Sequence, residues 1–448
     1  MNLFPWRPKK SGKVKAKRGL QRLLALLLPL ALSPGALAHP NAAPAPLEPS
    51  GVVTLRDALA AAVARSPSLG AFSAELRARE ALTLQAGLPP NPEFRTAVEN
   101  VGGSGNRQGF QTTETTLLLS TVIELGGKRA KRERLAALGQ ELAGFDYEAK
   151  RLEVLSRTTK VFIRVLAAQE RITMAARLER VATAGMDAVS RSVSAGAAPA
   201  LETSRARITL GRAQMALALA KTELETARAQ LAASWGAEQA DFAKVVGELA
   251  QLPEPLPEAR LLDALRDAPQ LVRWRSERRA GEAALALEAS RAIPDVAVGV
   301  GGRHFSDNKD NALVFELSIP LPVFDRNQGA IAAAQAGVDK TTHEAAASEI
   351  ALYAAVHEAN QRLRAAHEQA TSLRTNLLPA ARTGHVNTVD AFKRGLLRPL
   401  DLIESERTLV ELEGEYLIAL EAGHLAAADL EQLAGLSLPE LSRGERRR

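Results

Sequence analysis

The chain has 448 residues, enough for one large domain or two to three ordinary ones, and it contains no cysteine. Its formal charge of +6 does not indicate a nucleic-acid partner, because residues 1–38 alone hold eight lysines and arginines and no acid, which leaves the rest of the chain at −2. Aromatic residues make up only 4%, while alanine, leucine, glutamate and arginine dominate, so we expect a helix-rich protein with neither disulfides nor a lipid-bearing cysteine.

Residues 1–38 have the pattern of an export signal. A basic segment precedes the apolar run Leu23–Leu32, and Ala36 and Ala38 then form a small-x-small cleavage site. The apolar run is about ten residues long, which is too short to span a bilayer, and a non-cleaved anchor is the alternative interpretation. We therefore expect an exported chain, cleaved after Ala38, that begins with a Pro/Ala-rich flexible leader at 39–53.

Residues 54–252 predict a helix, two strands and a long helical hairpin. Thr54 is the expected cap of the first helix, and Leu88-Pro89-Pro90 ends that helix because proline cannot continue it. Alternating polar and apolar residues predict the strands, with a glycine-rich loop at 102–105. The expected elements are a helix from Leu55 to about Gly87, strands at Glu93–Val101 and Gln111–Ile123, a helix at Lys128–Val193 and a helix from about Pro199 to Ser234.

The helix at Lys128–Val193 is the longest expected element. It contains no proline, and its apolar residues recur at three- and four-residue steps, which is the spacing of an α-helix. At 1.5 Å per residue it would span ~100 Å, whereas helices of globular domains usually have about 8–20 residues. It is therefore either a coiled coil or the wall of a long assembly. The apolar series begins Leu135, Leu138, Leu142, Phe145, Ala149 and Leu152.

The chain contains an internal repeat. Ser66-Pro67-Ser68-Leu69 returns as Ala268-Pro269-Gln270-Leu271 at an offset of 202, and the turn at Gly196 returns at Gly395 at an offset of 199. Residues 253–436 should therefore hold a second set of the same elements. These are a first helix, strands at 296–301 and 313–319, a helix from about Gln328 to Leu378, its continuation beyond an interruption at Pro379 to Arg394, and a helix from Leu400 to Ala434, before a basic tail at 437–448.

The four predicted strands cannot close a β-barrel within one chain, since a barrel needs at least about eight strands. Each strand has an apolar face that a soluble hairpin would not expose to water. Three chains would supply twelve strands and leave no edge unpaired. Five phenylalanines lie on or beside the strands, and they form either girdles at the membrane interfaces or ordinary strand packing. They are Phe94, Phe110, Phe305, Phe315 and Phe324.

These patterns resemble the TolC-like outer membrane efflux proteins. The resemblance rests on the double repeat, on Asn91-Pro92-Glu93 at the start of a strand, on Glu124-Leu125-Gly126-Gly127-Lys128-Arg129 and on the two Gly-x4-Leu-acidic turns. It covers about residues 52 to 436, and the segment 124–129 is most similar to the heavy-metal branch, which exports cobalt, zinc and cadmium or copper and silver. No single motif is specific, but their order and spacing are.

The resemblance implies a mainly α-helical chain with a membrane β-barrel. Three copies would form a twelve-stranded barrel in the lipid of the outer membrane and an α-helical tunnel through the periplasm. This homotrimer would dock a periplasmic adaptor and an inner-membrane RND-type pump and would act as a passive exit duct for heavy-metal cations. Neither a cofactor nor a nucleic acid is expected. Many members carry an acylated cysteine, which this chain lacks, so its barrel alone would hold it.

The resemblance also implies where the tunnel closes. The periplasmic tips of such proteins are the turns between paired helices, which here lie at Gly196 and Gly395. Leu201 and Leu400 follow these turns and are the expected docking residues for the adaptor. We therefore expect both the gate and the adaptor contact at one end of the helical hairpins.

Acidic residues after the turns are the candidate pore gate. Asp401 and Glu404 match pore-lining acids of the family, and Glu202 matches the first of these positions in the first repeat, where Arg205 occupies the other. Three copies of each acid around one axis would favour cations and repel one another, as in a selectivity filter. The alternative is that the acids lie on a solvated helix face or pair with neighbouring arginines. Those arginines are Arg394, Arg398 and Arg407.

Metal-binding and catalytic motifs are weak. The seven histidines have no ligand spacing, and His343, His357 and His367 each precede a glutamate without the second histidine of H-E-x-x-H, so we interpret them as surface residues. Gly126-Gly127-Lys128-Arg129 lacks the preceding glycine and the Ser/Thr of a P-loop. No Gly-x-Ser-x-Gly nucleophile elbow occurs, so no enzyme is expected.

Two other classes of protein are the alternatives. A periplasmic adaptor, or another structural coiled-coil protein of an export system, would carry one helical hairpin between compact β-rich domains, whereas this pattern has two hairpins and two strand pairs. A surface filament protein fits less well with paired apolar strands. The sequence does not identify the exported substrate, because in such systems the pump usually selects it.

Overall fold

The computed structural model describes residues 48–266 and 268–438, which form long helices and two small sheets. The predicted signal, with Ala36 and Ala38, and most of the predicted basic tail lie outside the described residues. The helices are α1 Leu55–Arg65, α2 Pro67–Ala86, α3 Lys128–Ser194, α4 Ala200–Ser234, α5 Glu258–Leu265, α6 Pro269–Arg291, α7 Gln328–Ser372, α8 Leu378–Lys393 and α9 Pro399–Ala434. The strands are β1 Gly51–Thr54, β2 Glu93–Glu99, β3 Glu114–Ile123, β4 Phe242–Val246, β5 Val296–Phe305 and β6 Asn311–Ser318.

Helix α3 is the element against which most of the other helices pack. It contacts α1, α2, α4, α6 and α9 along its 67 residues. Near its middle, Phe162 and Val165 are fully buried in one core with Leu231, Trp235 and Phe242. Burying each such side chain contributes about 1.5–3 kcal/mol, so this core holds α3, α4 and β4 together. The predicted long helix is confirmed.

A second core lies between α5, α7 and α9. Leu261 and Leu265 of the short helix α5 pack there with Leu363 of α7 and Leu430 of α9. Sequence analysis missed α5, because an eight-residue segment after a proline-rich linker gives too few turns for a clear period.

A two-stranded parallel sheet joins the N-terminal end of the described chain to the segment after α4. β1 pairs with β4, and the amide of Gln169 caps the other edge of β4 by bonding both the N–H and the C=O of Val245, each at 3.0 Å. Sequence analysis missed both strands and assigned residues 39–53 to a flexible leader. That assignment is wrong for residues 51–53, since parallel pairing across nearly 200 residues leaves no local signal, whereas the predicted cap at Thr54 is confirmed.

The predicted interruption at Pro379 takes the form of a wide turn within a continuing helix. Residues Leu373–Leu377 form a π-helical turn between α7 and α8. A proline in a regular helix would clash with the carbonyl four residues earlier, here that of Thr375, and the π turn accommodates it. The helix therefore changes its winding just before Pro379 and does not break there.

The four strands predicted from alternation form one antiparallel sheet in the order β2-β3-β5-β6. Their register places Phe94, Leu119, Val300 and Phe315 in one row across the sheet, all at least half exposed. The next row belongs to the opposite face and contains Arg95, and an ion pair of 3.3 Å joins Arg95 to Glu316 there. One face is thus apolar and exposed, and the other carries charge. Within 48–266 and 268–438, no helix is long and apolar enough to cross a membrane.

The segment Glu124–Arg129 connects this sheet to α3. Lys128 is buried, and its Nζ lies 2.7 Å from Oδ1 of Asp295, which also accepts the N–H of Leu125 at 2.9 Å. Gly126 has φ +69°, and a Cβ there would lie 2.9 Å from the side chain of Ile293. The two halves of the chain therefore meet at the end of the sheet, where this motif needs both its lysine and its first glycine.

Replacing Lys128 by methionine should lower the free energy of unfolding by about 2 kcal/mol, because the carboxylate of Asp295 would remain partly buried without its cation. Urea unfolding in detergent micelles measures this value. Arg129→Met is the matched control, since Arg129 is exposed, and it should change stability by less than about 0.5 kcal/mol. Equal losses in both variants would contradict the role of this ion pair.

Candidate gate at the helix turns

The turns that end α3 and α8 have the same backbone geometry. Gly196 has φ +72° and Gly395 has φ +74°, the left-handed conformation that glycine adopts without steric cost. In each turn, the amide after the glycine donates to a carbonyl five residues earlier, at 2.8 Å for Ala197 and 3.0 Å for Leu396. This is the Schellman motif, which reverses the chain in few residues and brings α4 and α9 back along their partner helices.

Asp401 lies in the first turn of α9 and is held there by Arg398. Its carboxylate accepts the Arg398 backbone N–H at 3.0 Å and lies 3.2 Å from the guanidinium. These hydrogen bonds, with the positive charge of Arg398, hold the pKa of Asp401 below its usual 3.8. The position also suits the helix dipole, which favours a negative charge at an N-terminus.

Arg398 is influenced by acids of both helix turns. Hydrogen bonding and charge from Asp401 raise the pKa of Arg398, and the negative charge of Glu202 at the start of α4 adds to this effect. Glu202 also pairs with Arg205 on its own helix at 3.1 Å. The predicted acids Glu202 and Asp401 therefore both act on the guanidinium of Arg398, Asp401 by direct hydrogen bonds and Glu202 by its charge.

Glu404 lies one turn further along α9 and does not join this group. Arg407 pairs with it at 2.5 Å and with Glu411 at 3.0 Å, and the hydrogen bond from Arg407 lowers the pKa of Glu404. The side chain of Glu404 is 61% exposed, so this pairing contributes little to stability. Sequence analysis considered pairing of the acids with Arg398 or Arg407 as the alternative to a gate, and both pairs are present in this chain.

The turns also present apolar side chains to solvent. Leu201 is 60% exposed at the start of α4, and Leu396 is 72% exposed in the turn before α9. Leu400, the other predicted docking residue, is only partly exposed. The two turns are thus not equivalent, because the second turn presents Leu396 as well as Leu400, the residue that the repeat predicts.

A charged cluster behind the second turn was missed by sequence analysis. Glu406 of α9 is 4% exposed, and its Oε1 lies 2.7 Å from Nε of Arg177 on α3. His385 of α8 approaches the other oxygen at 3.1 Å, while Arg177 and Arg382 both pair with Glu413. Burial works against the charge of Arg177, but Glu413 and Glu406 outweigh it and raise the pKa of this arginine. These residues come from three helices, so no sequence motif identifies them.

One close packing contact joins α3 to the same part of α9. A Cβ at Gly185 would overlap the side chain of Ile403, which is 3% exposed. Ile403 lies between Asp401 and Glu404 in sequence. The approach of α9 to α3 at the candidate gate therefore depends on the missing side chain of Gly185.

Histidines do not form a metal site in the described part of the chain. Residues 48–266 and 268–438 contain no group of three or more histidine, aspartate and glutamate side chains placed to hold a metal ion. His424 is mostly buried and lies 2.9 Å from the carbonyl oxygen of Leu249, and burial lowers its pKa despite that hydrogen bond. This hydrogen bond joins α9 to the segment after β4.

Comparison of the sequence identifies related proteins. The family described as outer membrane efflux protein matches residues 58–237. The cobalt-zinc-cadmium resistance protein CzcC of Cupriavidus metallidurans is 33% identical over 391 residues, which cover 87% of this chain and 92% of that protein. The nickel-cobalt-cadmium resistance protein NccC of Alcaligenes xylosoxydans xylosoxydans is 27% identical over 68% of each chain.

Comparison of the fold gives a consistent result. The outer membrane channel CmeC of Campylobacter jejuni superimposes with a TM-score of 0.72 at 14% identity, covering 87% of this chain and 88% of that one. At this identity the match establishes a shared fold and says nothing of a shared substrate.

Gly185→Ala should lower the free energy of unfolding by about 1–3 kcal/mol, because the added methyl group must displace Ile403 and push α9 away from α3. Gly211→Ala on α4 is the matched control, since a Cβ there meets nothing within 4 Å. That variant should be neutral or up to about 1 kcal/mol more stable, as alanine favours helix. Thermal unfolding of both variants in one detergent decides between these outcomes. A Gly185→Ala protein as stable as Gly211→Ala would show that α9 does not depend on this contact.

Proposed function

This chain belongs to the outer membrane efflux protein family, and on that premise we propose that it is the exit duct of a tripartite system that exports divalent heavy-metal cations. It is an efflux protein of the outer membrane with a periplasmic helical portion. Two relatives are named for resistance to metals, which supports a metal cargo. The 33% identity to CzcC extends over most of both chains. The cations are substrates that pass through and are not resident cofactors.

The main structural support for this proposal is the four-stranded sheet. Its apolar face exposes Phe94, Leu313, Phe315 and Leu317, each by at least 67%, and this face would contact lipid. Its outer strands β2 and β6 pair on one side only in the described chain. Three copies would join these edges into a closed barrel of twelve strands and leave no unpaired backbone in the membrane.

Matching contacts in the two halves support a repeated architecture for the tunnel. Gly236, which follows α4, has φ +82° and lies against the ring of Pro67 at the start of α2. Gly435 follows α9 in the same conformation and lies against Pro269 at the start of α6. Two similar units per chain would give six units around a threefold axis, which suits a tunnel wall.

The candidate gate combines fixed charge with pairing between the two turns. Three copies of Asp401, Glu404 and Glu202 around the axis would make a negatively charged constriction that attracts cations. Arg398 is hydrogen-bonded to Asp401 and is influenced by the charge of Glu202, so this guanidinium would help to hold the two turns together in the closed duct. The exposed Leu201 and Leu396 at the same end would receive the helical tips of a periplasmic adaptor, which links the duct to an RND-type pump in the inner membrane.

The duct should restore metal tolerance when produced with its own adaptor and pump in a strain that lacks its endogenous metal exporters. Growth in graded cobalt, zinc and cadmium measures this tolerance, and an organic antibiotic series provides the comparison. Tolerance to the antibiotics alone would contradict the metal cargo. Native mass measurement of the detergent extract tests the assembly, and a monomer would contradict the duct itself.

Asp401→Ala combined with Glu404→Ala should raise the single-channel conductance in a planar bilayer and reduce the preference for cations by about twofold or more. Removing these carboxylates takes from Arg398 its hydrogen-bonded acid and leaves Arg407 with Glu411 alone, so the constriction would become more positive. Glu225→Ala is the matched control, because it removes the carboxylate that pairs with Arg228 on α4, far along the helix from the turns. Currents that the double variant leaves unchanged would exclude these acids from the gate.

A further inference from the structure

Helix α8 is attached to the rest of the chain in an unusual way. The π turn Leu373–Leu377 separates it from α7, and the turn at Gly395 separates it from α9. Among the described helices, α9 is its only extensive packing partner. π turns inside helices often mark functional positions, and this one would allow α8 to change its direction relative to α7.

Two side chains of α8 make its ionic contacts to the buried cluster. His385 Nε2 lies 3.1 Å from Oε2 of Glu406, and Arg382 lies 3.7 Å from Glu413. Arg177 of α3 pairs with both of these glutamates. Each glutamate of α9 therefore holds one cation of α8 and shares the same guanidinium of the continuous helix α3.

The ion pair between Arg177 and Glu406 is close but poorly directed. Although 2.7 Å separates them, neither Arg177 Nε nor Glu406 Oε1 has a well-aligned hydrogen bond. Glu406 is nearly fully buried, so an incompletely bonded carboxylate there is costly. The imidazole of His385 on the other oxygen therefore carries an unusually large share of its stabilisation.

The hydrogen-bond directions around His385 indicate which protonation state fits. A carboxylate cannot donate, so Nε2 must carry a proton to pair with Glu406. Nδ1 lies 3.1 Å from the hydroxyl of Ser405, and that hydroxyl donates to the carbonyl of Leu402 at 2.9 Å. With the hydroxyl proton used in this way, Nδ1 must donate as well. The doubly protonated imidazolium satisfies every partner, whereas the neutral ring loses one bond.

We propose that Arg177, His385 and Glu406 form a proton-sensitive latch that holds α8 against α9 and α3 in the closed duct. The latch rests on the proposed function, since it assumes a duct that opens at this end. It lies behind the turns and is separate from the acids Asp401 and Glu404, so it positions the gate helices without lining the pore.

The charges that face His385 determine the direction of the pH effect. Glu406 and Glu413 face it from α9, Arg177 from α3 and Arg382 from α8 itself. These four charges balance, so protonation adds the one positive charge that Glu406 accepts directly. The latch is therefore closed in acid and weakens as the pH rises.

The test is the conductance of the full-length trimer in planar bilayers from pH 5.5 to 8. The wild-type open probability should rise on the order of fivefold across this range, as expected for the loss of one charge-assisted hydrogen bond per subunit. His385→Gln should be open throughout, and His385→Lys, which keeps a positive charge, should stay closed. His343→Gln on α7 is the matched control and should keep the wild-type profile.

Each result has one meaning. A wild-type pH profile in both His385→Gln and His385→Lys overturns the latch, as does an Arg177→Gln protein that stays as closed as wild type at every pH. If His385→Gln does not assemble as a trimer, two other variants test the latch. His385→Lys should stay closed, and Arg177→Lys should partly restore the closed state that Arg177→Gln loses. Absence of any wild-type channel would instead refute the proposed function.

Discussion

The structure depends on one uninterrupted helix. α3 runs from Lys128 to Ser194, and each region with a distinct role is held at a particular point along it. Lys128 anchors the sheet at one end, Phe162 and Val165 form the core near the middle, and Arg177 and Gly185 meet α9 near the other end. Because rise per residue is constant in a helix, α3 sets the distances between these regions. A break in it would uncouple the sheet from the turns.

The ion pairs near the turns differ in what they contribute to stability. The pairs at the turns, such as Arg407 with Glu404, are exposed and worth little to stability, so they can exchange partners at low cost. The pairs around Glu406 are buried, and removing one partner there leaves a charge without solvent. In the proposed duct, cations passing the constriction would compete for the exposed acids, whereas the buried cluster would be insulated from them. Conduction and latching are therefore separable in this arrangement.

Local patterns were enough to predict most of the elements and few of the contacts between them. The three- and four-residue apolar period predicted α3, the left-handed glycines at 196 and 395 marked both turns, and alternation predicted four strands. The pairing of β1 with β4 and the cluster around Arg177 were missed, because their partners lie far apart in sequence. The predicted gate acids were located from a repeat and a resemblance. Only the structure shows that Arg398 binds Asp401 directly and also senses the charge of Glu202.

The difference between the two hairpins indicates which one moves in the proposed duct. α3 continues without interruption to the first turn, whereas the equivalent helix of the second half contains a π turn at Leu373–Leu377 and Pro379. The second hairpin also has Glu404 where the first has Arg205. A helix that can bend and carries the additional acid is suited to open and close the constriction, while its rigid counterpart supplies the surface against which it closes. Arg177 lies on the uninterrupted helix α3 and pairs with both glutamates of the second hairpin, so in the proposed duct the strength of that contact would set how readily the turns open.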